Sequence, residues 1–172
     1  ITNVNEVPTD ITLSNSSIAE NSVANSVVGT LSTTDVDAGD SFTYTLVSGS
    51  GSTDNASFSI AGSSLKLTPS PNFEAKSSYS VRLRTTDAGG ATFEKQFTIN
   101  ITNVNEAPTD IILSNSSIAE NSAVNSVVGT LSTTDVDAGD SFTYSLVSGT
   151  GDTDNTSFFI AGSSLKLTPS PN

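Results

Sequence analysis

Acidic side chains recur where the sequence changes from apolar alternation to turn residues, and they are the residues best suited to chemistry. Three aspartates lie close together in the segment 33–40, Thr-Thr-Asp-Val-Asp-Ala-Gly-Asp. Glu20 follows Ala19, Glu74 follows Phe73, and Asp87 begins the segment Asp-Ala-Gly-Gly. Carboxylate and carbonyl oxygens gathered at one end of a domain supply the roughly six to eight ligands that Ca²⁺ takes. Without a cation, the same charges repel one another.

The composition excludes most other chemistry. The 172 residues include no His, Cys or Met, so nucleophile pairs built on His or Cys cannot form. Zinc, haem and iron–sulfur centres lose their preferred ligands as well. Eighteen acidic and six basic residues give a net charge of −12, which repels nucleic acid and anionic lipid. Solubility alone also explains such a charge, so the argument depends on where the acids are placed.

The segment Asp35–Asp40 has two other interpretations. Asp and Gly are ordinary turn residues, so the segment is equally consistent with a solvated loop. It also resembles the start of a helix–loop–helix calcium loop, which requires Gly at the sixth position and Glu at the twelfth. Counted from Asp35, those positions hold Asp40 and Leu46, and no flanking helices are predicted. The helix–loop–helix interpretation is therefore excluded, whereas the solvated loop stays open.

The sequence repeats itself with a period of 100 residues. Residues 1–72 and 101–172 differ at nine positions, so 72 − 9 = 63 are identical. The differences, such as Val7 against Ala107 and Ser59 against Phe159, leave the acidic motifs unchanged. We therefore expect two domains, residues 1–102 as a first repeat with an N-terminal linker and residues 103–172 as a second repeat.

Within one repeat, short segments alternate between apolar and polar residues with a period of two. Strands are predicted around Ile11 and Leu13, Val27 and Leu31, Phe42–Leu46, Phe58–Ile60, Leu65–Leu67, Tyr79–Leu83 and Phe97–Ile101. The turn 61–64 predicts a hairpin. Seven short strands without a helical period indicate an all-β protein of tandem seven-stranded Greek-key sandwiches, immunoglobulin-like or cadherin-like in kind.

The second copy ends at Asn172, before counterparts of the last two predicted strands, 79–85 and 93–101. We expect its apolar strand faces to be uncovered and its sheet edges to be unpaired. The second repeat is therefore expected to be loosely folded or to self-associate.

Five motifs occur in a fixed order: Ala-Glu-Asn at 19–21, Thr-Asp-Val-Asp at 34–37, Asn-Phe-Glu at 72–74, Thr-Asp-Ala-Gly-Gly at 86–90, and Val-Asn-Glu-Ala-Pro at 104–108. With these motifs the whole chain resembles cadherin repeats, especially the cadherin-like repeats of large bacterial surface and secreted proteins. The resemblance implies calcium ions between successive repeats, with ligands from both.

Carried over by motif, the resemblance implies two groups of ligands. The junction between the repeats would use Glu20, Glu74, Asn103, Asn105, Glu106, Asp135 and Asp137. The opposite end of the first repeat would use Asp35, Asp37, Asp87, Asn3, Asn5 and Glu6, facing a preceding neighbour. The linker departs from the family, because Asn103 replaces its usual Asp and one residue is missing, and Asn72 stands where an Asp often precedes the Glu. We expect one or two ions per junction and weaker binding.

These observations favour a calcium-stiffened structural or adhesive repeat of an extracellular, secreted or cell-surface protein, and not an enzyme. Its expected partners are neighbouring repeats, with homophilic or polysaccharide contacts also considered. The alternative is a carbohydrate-binding module, for which Phe159 is the aromatic side chain to examine because it replaces Ser59. No signal peptide and no apolar run of about 18 residues is found, so no membrane span is expected in this segment.

Overall fold

A computed structural model of the chain describes residues 4–168. The chain divides into two compact units, Ile1–Val104 and Asn105–Asn172, hereafter unit 1 and unit 2. This division lies two residues after the boundary expected between residues 102 and 103. Over residues 4–168, both units are built from β-strands, with one 3₁₀ turn in each, at Asn55–Ser57 and Asn155–Ser157. The predicted all-β fold class is confirmed.

Unit 1 is a sandwich of two four-stranded sheets. The first sheet has the order β1-β3-β6-β5 and the second has the order β2-β8-β7-β4. Neighbouring strands are antiparallel, except that β2 runs parallel to β8. The strands are β1 Asp10–Leu13, β2 Ser17–Ala19, β3 Ser26–Thr34, β4 Thr43–Leu46, β5 Phe58–Ala61, β6 Ser64–Leu67, β7 Ser78–Thr86 and β8 Thr92–Thr102.

The core of unit 1 follows from the alternation in these strands. On β6, Leu65 and Leu67 are buried and Lys66 between them is not, while on β7 the same holds for Val81 and Leu83. Successive side chains of a strand point to opposite faces, so each sheet presents one apolar face to the other. The buried cluster comprises Ile11, Val28, Leu31, Phe58, Leu65, Leu67, Val81, Leu83, Ile99 and Ile101.

The predicted edge strand around Ile11 and Leu13 is followed by a further short strand, β2, that was not predicted. Within residues 4–104 this gives eight strands instead of the predicted seven, because β1 pairs with β3 in one sheet and β2 pairs with β8 in the other. Between them Asn15 donates through Nδ2 to the carbonyls of Ser17, at 2.6 Å, and Val28, at 3.1 Å. A bulge of β3 between Val27 and Gly29 lies against this crossing. A Cβ on Gly29 would lie 2.6 Å from the carbonyl oxygen of Asn15, so the crossing requires glycine there.

Unit 2 repeats the first sheet of unit 1. Its strands are β9 Asp110–Leu113, β10 Val127–Thr134, β11 Phe158–Ala161 and β12 Ser164–Leu167, in the order β11-β12-β10-β9. The register is also repeated, since Asp110 pairs with Thr134 as Asp10 pairs with Thr34. Near-identical local sequence thus produces the same sheet in both units.

The described part of unit 2, residues 105–168, has no counterpart of the second sheet. Residues 143–146 are not in a strand, although they differ from β4 only by Ser145 in place of Thr45. Strand β4 pairs with β7, so this segment becomes a strand through its partner and not through its own sequence. An apolar groove of about 390 Å³ remains, lined in part by Ile111, Tyr144 and Leu165. Ile111 is 62% exposed, whereas Ile11 at the same position of unit 1 is fully buried.

Candidate metal centres

Four aspartates of unit 1, Asp35, Asp37, Asp40 and Asp87, form what we call the aspartate cluster. The first three lie in the loop after β3, and Asp87 directly follows β7. These strands belong to different sheets, but their ends are joined across the sandwich by a hydroxyl contact of 2.7 Å between Thr33 Oγ1 and Thr85 Oγ1. The two sheets therefore bring both acidic segments to one end of unit 1.

The spacing of the carboxylates in the aspartate cluster suits a cation with oxygen ligands. Asp35, Asp40 and Asp87 each offer one carboxylate oxygen, and these three atoms all lie within 4.8 Å of one another. Two oxygens about 2.4 Å from a single Ca²⁺ can be at most about 4.8 Å apart. One calcium ion can thus contact all three side chains.

Backbone donors fix the loop that carries Asp35 and Asp37. The Asp37 N–H donates to Asp35 Oδ1 at 3.1 Å, and the Glu6 N–H donates to Asp37 Oδ2 at 2.8 Å. These bonds attach the segment before β1 to the loop after β3. Glu6, which the sequence assigned to this end, therefore lies beside the cluster, whereas Asn3 lies outside the described residues.

Asp87 is held by residues on both sides of it. It is 6% exposed and accepts a bond of 2.8 Å from the Ala91 N–H at Oδ1. Asn5 Nδ2 donates to Asp87 Oδ2 at 3.0 Å. The Asn5 amide lies so close to Gly89 that a Cβ there would be 2.2 Å from Asn5 Oδ1. Asn5 and Asp87 are thus brought together as the motifs imply.

The carboxylates of the aspartate cluster repel one another. The pKa of Asp40 is raised above its usual value, first by partial burial and then by the charges of Asp37, Asp87 and Asp35. The pKa of Glu6 is raised by partial burial and by Asp37. Asp35 Oδ2 and Asp40 Oδ2 are inaccessible to solvent and accept no hydrogen bond. Buried acceptors without donors are costly, and a bound divalent cation would satisfy both. The residues present therefore fit calcium.

Two glutamates form a second acidic site in unit 1. Glu20, between β2 and β3, is 2% exposed, and one of its carboxylate oxygens lies within 4.8 Å of one from Glu74. Glu20 accepts bonds from the N–H groups of Val104, at 2.8 Å, and Phe73, at 2.9 Å. Asp87 lies before β8 and Val104 lies after it. Because β8 has eleven residues, it extends roughly 35 Å between them. The two sites therefore lie at opposite ends of unit 1. Asn103, also expected here, is exposed.

Unit 2 repeats the loop geometry of the aspartate cluster. The Glu106 N–H donates to Asp137 Oδ2 at 2.7 Å, and the Asp137 N–H donates to Asp135 Oδ1 at 3.1 Å. Asn105 Nδ2 donates to the Glu106 carbonyl at 2.9 Å. Asp137 is 7% exposed, and Asp135 Oδ2 is buried and accepts no hydrogen bond. Four of the ligands expected at the junction are thus gathered within one unit.

Sequence reasoning did not select Asp40 as a ligand. The family motif contains only the first two acids of the segment 35–40, and the third has the spacing of an ordinary turn residue. The available signal was its position three residues after Asp37, in a loop whose other acids were already candidates. Its counterpart Asp140 is exposed.

No protein-family model matches the sequence. Solved structures of cadherin extracellular domains do match it. The human protocadherin-24 EC1-2 structure superposes with a TM-score of 0.68 at 18% identity, covering 96% of this chain and 80% of that one. The protocadherin GammaB4 extracellular domain gives a TM-score of 0.60 at 19% identity, covering 96% of this chain but only 28% of that one. The human mucin-like protocadherin EC1-2 structure gives 0.56 at 20% identity, with 95% and 80% covered. The chain has a cadherin-like β-sandwich fold.

Proposed function

We propose that this chain is a calcium-binding structural and adhesive repeat segment of an extracellular bacterial protein. The single observation that supports this most strongly is the aspartate cluster, where Asp35 Oδ2 and Asp40 Oδ2 are buried without donors. Calcium supplies a hard, oxygen-preferring charge that compensates these carboxylates. Extracellular modules bind it at about 10⁻⁴–10⁻³ M, a range matched to calcium outside the cell.

The proposed ligands form two groups. At the first end of unit 1 they are Asp35, Asp37 and Asp87, with Asn5 and Glu6 beside them. At the junction we propose that Glu20, Glu74 and Asn103 of unit 1 act together with Asn105, Glu106, Asp135 and Asp137 of unit 2. A cation with ligands from both units would restrict their relative motion. We infer that calcium stiffens the array by this route.

The proposed partners are neighbouring repeats of the same protein and further copies of it. Between residues 4 and 168 we find no helix with the length and apolar character needed to cross a membrane. The carbohydrate-binding alternative is not favoured, because every Phe and Tyr of the chain, Phe159 included, is at least partly buried. Sugar-binding platforms usually present an exposed aromatic face. We propose no catalytic activity, since the paired carboxylates are better explained as metal ligands.

Isothermal titration calorimetry on the whole chain tests this function. We expect calcium binding in the range of about 10⁻⁴–10⁻³ M that millimolar Mg²⁺ does not abolish, because Mg²⁺ keeps its waters and requires compact octahedral sites. Replacing Asp35 with Asn should reduce the heat of calcium binding, because it removes a charged ligand from the aspartate cluster.

The chain offers a matched control for the removed charge. Asp152 corresponds to Ser52. Each side chain accepts a hydrogen bond from the N–H of the glycine three residues earlier, Gly149 for Asp152 and Gly49 for Ser52. Asp152→Ser therefore removes one negative charge by a substitution already present in the other repeat. If Asp152→Ser weakened calcium binding as much as Asp35→Asn, the acids would form only a diffuse negative surface and the proposed site would be wrong.

A further inference from the structure

Asp40 ends the loop that carries Asp35 and Asp37, and the ligand set expected from the motifs does not include it. Its N–H donates to the Asp37 carbonyl at 3.4 Å, which closes a turn through Gly39. Gly39 has a φ of +94°, a conformation that favours glycine. The turn directs the loop back towards the segment after β7, where Asp87 lies.

Two features of the Asp40 carboxylate indicate a role beyond a turn. One is its position, because an Asp40 carboxylate oxygen lies within 4.8 Å of a carboxylate oxygen of Asp35 and of one of Asp87. The other is Oδ2, which is inaccessible to solvent and accepts no hydrogen bond although it lies among carboxylates. A carboxylate that lies among other carboxylates and has a buried oxygen without a donor has the arrangement of a metal ligand.

We propose that Asp40 is a direct ligand of Ca²⁺ together with Asp35 and Asp87, and that unit 1 binds this ion with ligands from itself alone. One oxygen from each side chain lies within 4.8 Å of the others, and all three residues belong to unit 1. Ca²⁺ takes six to eight oxygen ligands, and these three side chains supply three of them from within one domain. They supply more if a carboxylate binds through both of its oxygens. The proposal rests on the calcium-binding function and adds that this end needs no preceding repeat to take up its ion.

Asp140 provides the matched comparison. It occupies the same position of the repeat in an identical local sequence, but its side chain is exposed. Residues 105–168 contain no strand equivalent to β7 and no aspartate equivalent to Asp87. Asp40 thus lies close to two other carboxylates, whereas Asp140 is exposed to solvent.

The experiment compares Asp40→Asn and Asp140→Asn in the whole chain by calorimetry with calcium chloride. We expect Asp40→Asn to weaken one calcium site by about tenfold or more, which is the loss of a charged ligand at a site of modest affinity. Asp140→Asn should leave the affinity within about twofold of the wild type. Unchanged affinity in Asp40→Asn, with calcium still bound by the wild type, would overturn this proposal and leave the proposed function standing. Absence of calcium binding in the wild type would overturn both.

Thermal unfolding of the same variants separates a ligand from a structural residue. In chelator, Asp40→Asn should be at least as stable as the wild type, because the substitution removes one of several repelling charges and keeps a side chain of nearly the same shape. In saturating calcium the order should reverse, because the wild type binds the ion more tightly. An equal loss of stability with and without calcium, including a failure to fold in both, would show that Asp40 acts only through the turn and would contradict the proposal.

Discussion

At the scale of single residues, charge has two different fates in unit 1. Some acids are paired: Glu94 on β8 accepts bonds from Arg82 at 3.0 Å and from Arg84 at 2.5 Å, both on the neighbouring β7. Others lie close together in the aspartate cluster, where partial burial and then the charges of Asp37, Asp87 and Asp35 raise the pKa of Asp40. The paired acids are explained by sheet stability, whereas we propose that the clustered acids bind a cation.

The paired acids predict a pH dependence. The guanidinium groups of Arg84 and Arg82 lower the pKa of Glu94 below its usual 4.5. A carboxyl group whose pKa is lower in the folded protein stabilises it above the unfolded pKa, and this contribution is lost as pH falls through the folded pKa. We therefore expect Glu94→Gln to lower the melting temperature of unit 1 at pH 7 and to match the wild type near pH 2.

The effect should be small and reduced by salt, because these side chains are partly exposed and surface pairs are screened. Asp152→Ser is the control, because Asp152 accepts its hydrogen bond from the backbone of Gly149. Its melting temperature should differ from that of the wild type by the same small amount at pH 7 and near pH 2. If the melting temperature of Glu94→Gln stayed below that of the wild type at low pH, the shape of the Glu94 side chain and not its charge would explain the loss of stability.

At the scale of strands and loops, the sequence predicted most of the sheets and missed two features. The alternation of Leu65, Lys66 and Leu67 and the turn at 61–64 were sufficient for the β5–β6 hairpin, because both depend on adjacent residues. The separation of β1 from β2 depends on a hydrogen bond from Asn15 to the carbonyl of Val28, thirteen residues later in the chain. No pattern of adjacent residues predicts such a bond. The loss of strand at 143–146 depends on a missing partner. The sequence predicted that the last two strands of the second copy are absent, but residues 143–146 by themselves, nearly identical to β4, did not indicate this loss.

The crossing at Asn15 gives a prediction for Gly29. A Cβ there would lie 2.6 Å from one backbone atom and 2.9 Å from another, and backbone cannot yield as a flexible side chain does. We expect Gly29→Ala to destabilise unit 1 by about 1–3 kcal/mol, the range for overpacked positions. Gly62→Asn is the control, because a Cβ at Gly62 meets nothing within 4 Å and its φ of +61° is tolerated by Asn. Denaturant unfolding measures both, and equal costs would contradict this description of the crossing.

The β7–β8 pair covers the first sheet in unit 1, and two isoleucines test its contribution. Ile11 is fully buried, so Ile11→Ala should cost about 2–5 kcal/mol. Ile111 has the same place in its sheet but is 62% exposed, so Ile111→Ala should cost less than about 1 kcal/mol. Hydrogen exchange on the whole chain resolves the two units. Equal losses of protection would mean that the face around Ile111 is covered in solution.

At the scale of the whole molecule, the repeat places the same acidic loop at the start of each unit. The bonds from Glu6 to Asp37 and from Glu106 to Asp137 differ by 0.1 Å, at 2.8 and 2.7 Å. Unit 1 carries the glutamate site with Glu20 and Glu74 at its other end. We propose that neighbouring units of an array meet through these two ends, with acids on both sides of each junction. This arrangement supports a proposal in which calcium, and not a large apolar interface, orders neighbouring repeats.

Small-angle X-ray scattering tests this central claim most directly. At about ten millimolar calcium and an affinity of 10⁻⁴–10⁻³ M, one junction ion contributes on the order of 1.4–2.7 kcal/mol, enough to favour one arrangement about tenfold or more. We expect chelator to shorten the average end-to-end distance and broaden its distribution, and Asp135→Ala with Asp137→Ala to do the same at saturating calcium. Identical profiles in calcium, in chelator and in the double variant would contradict the account.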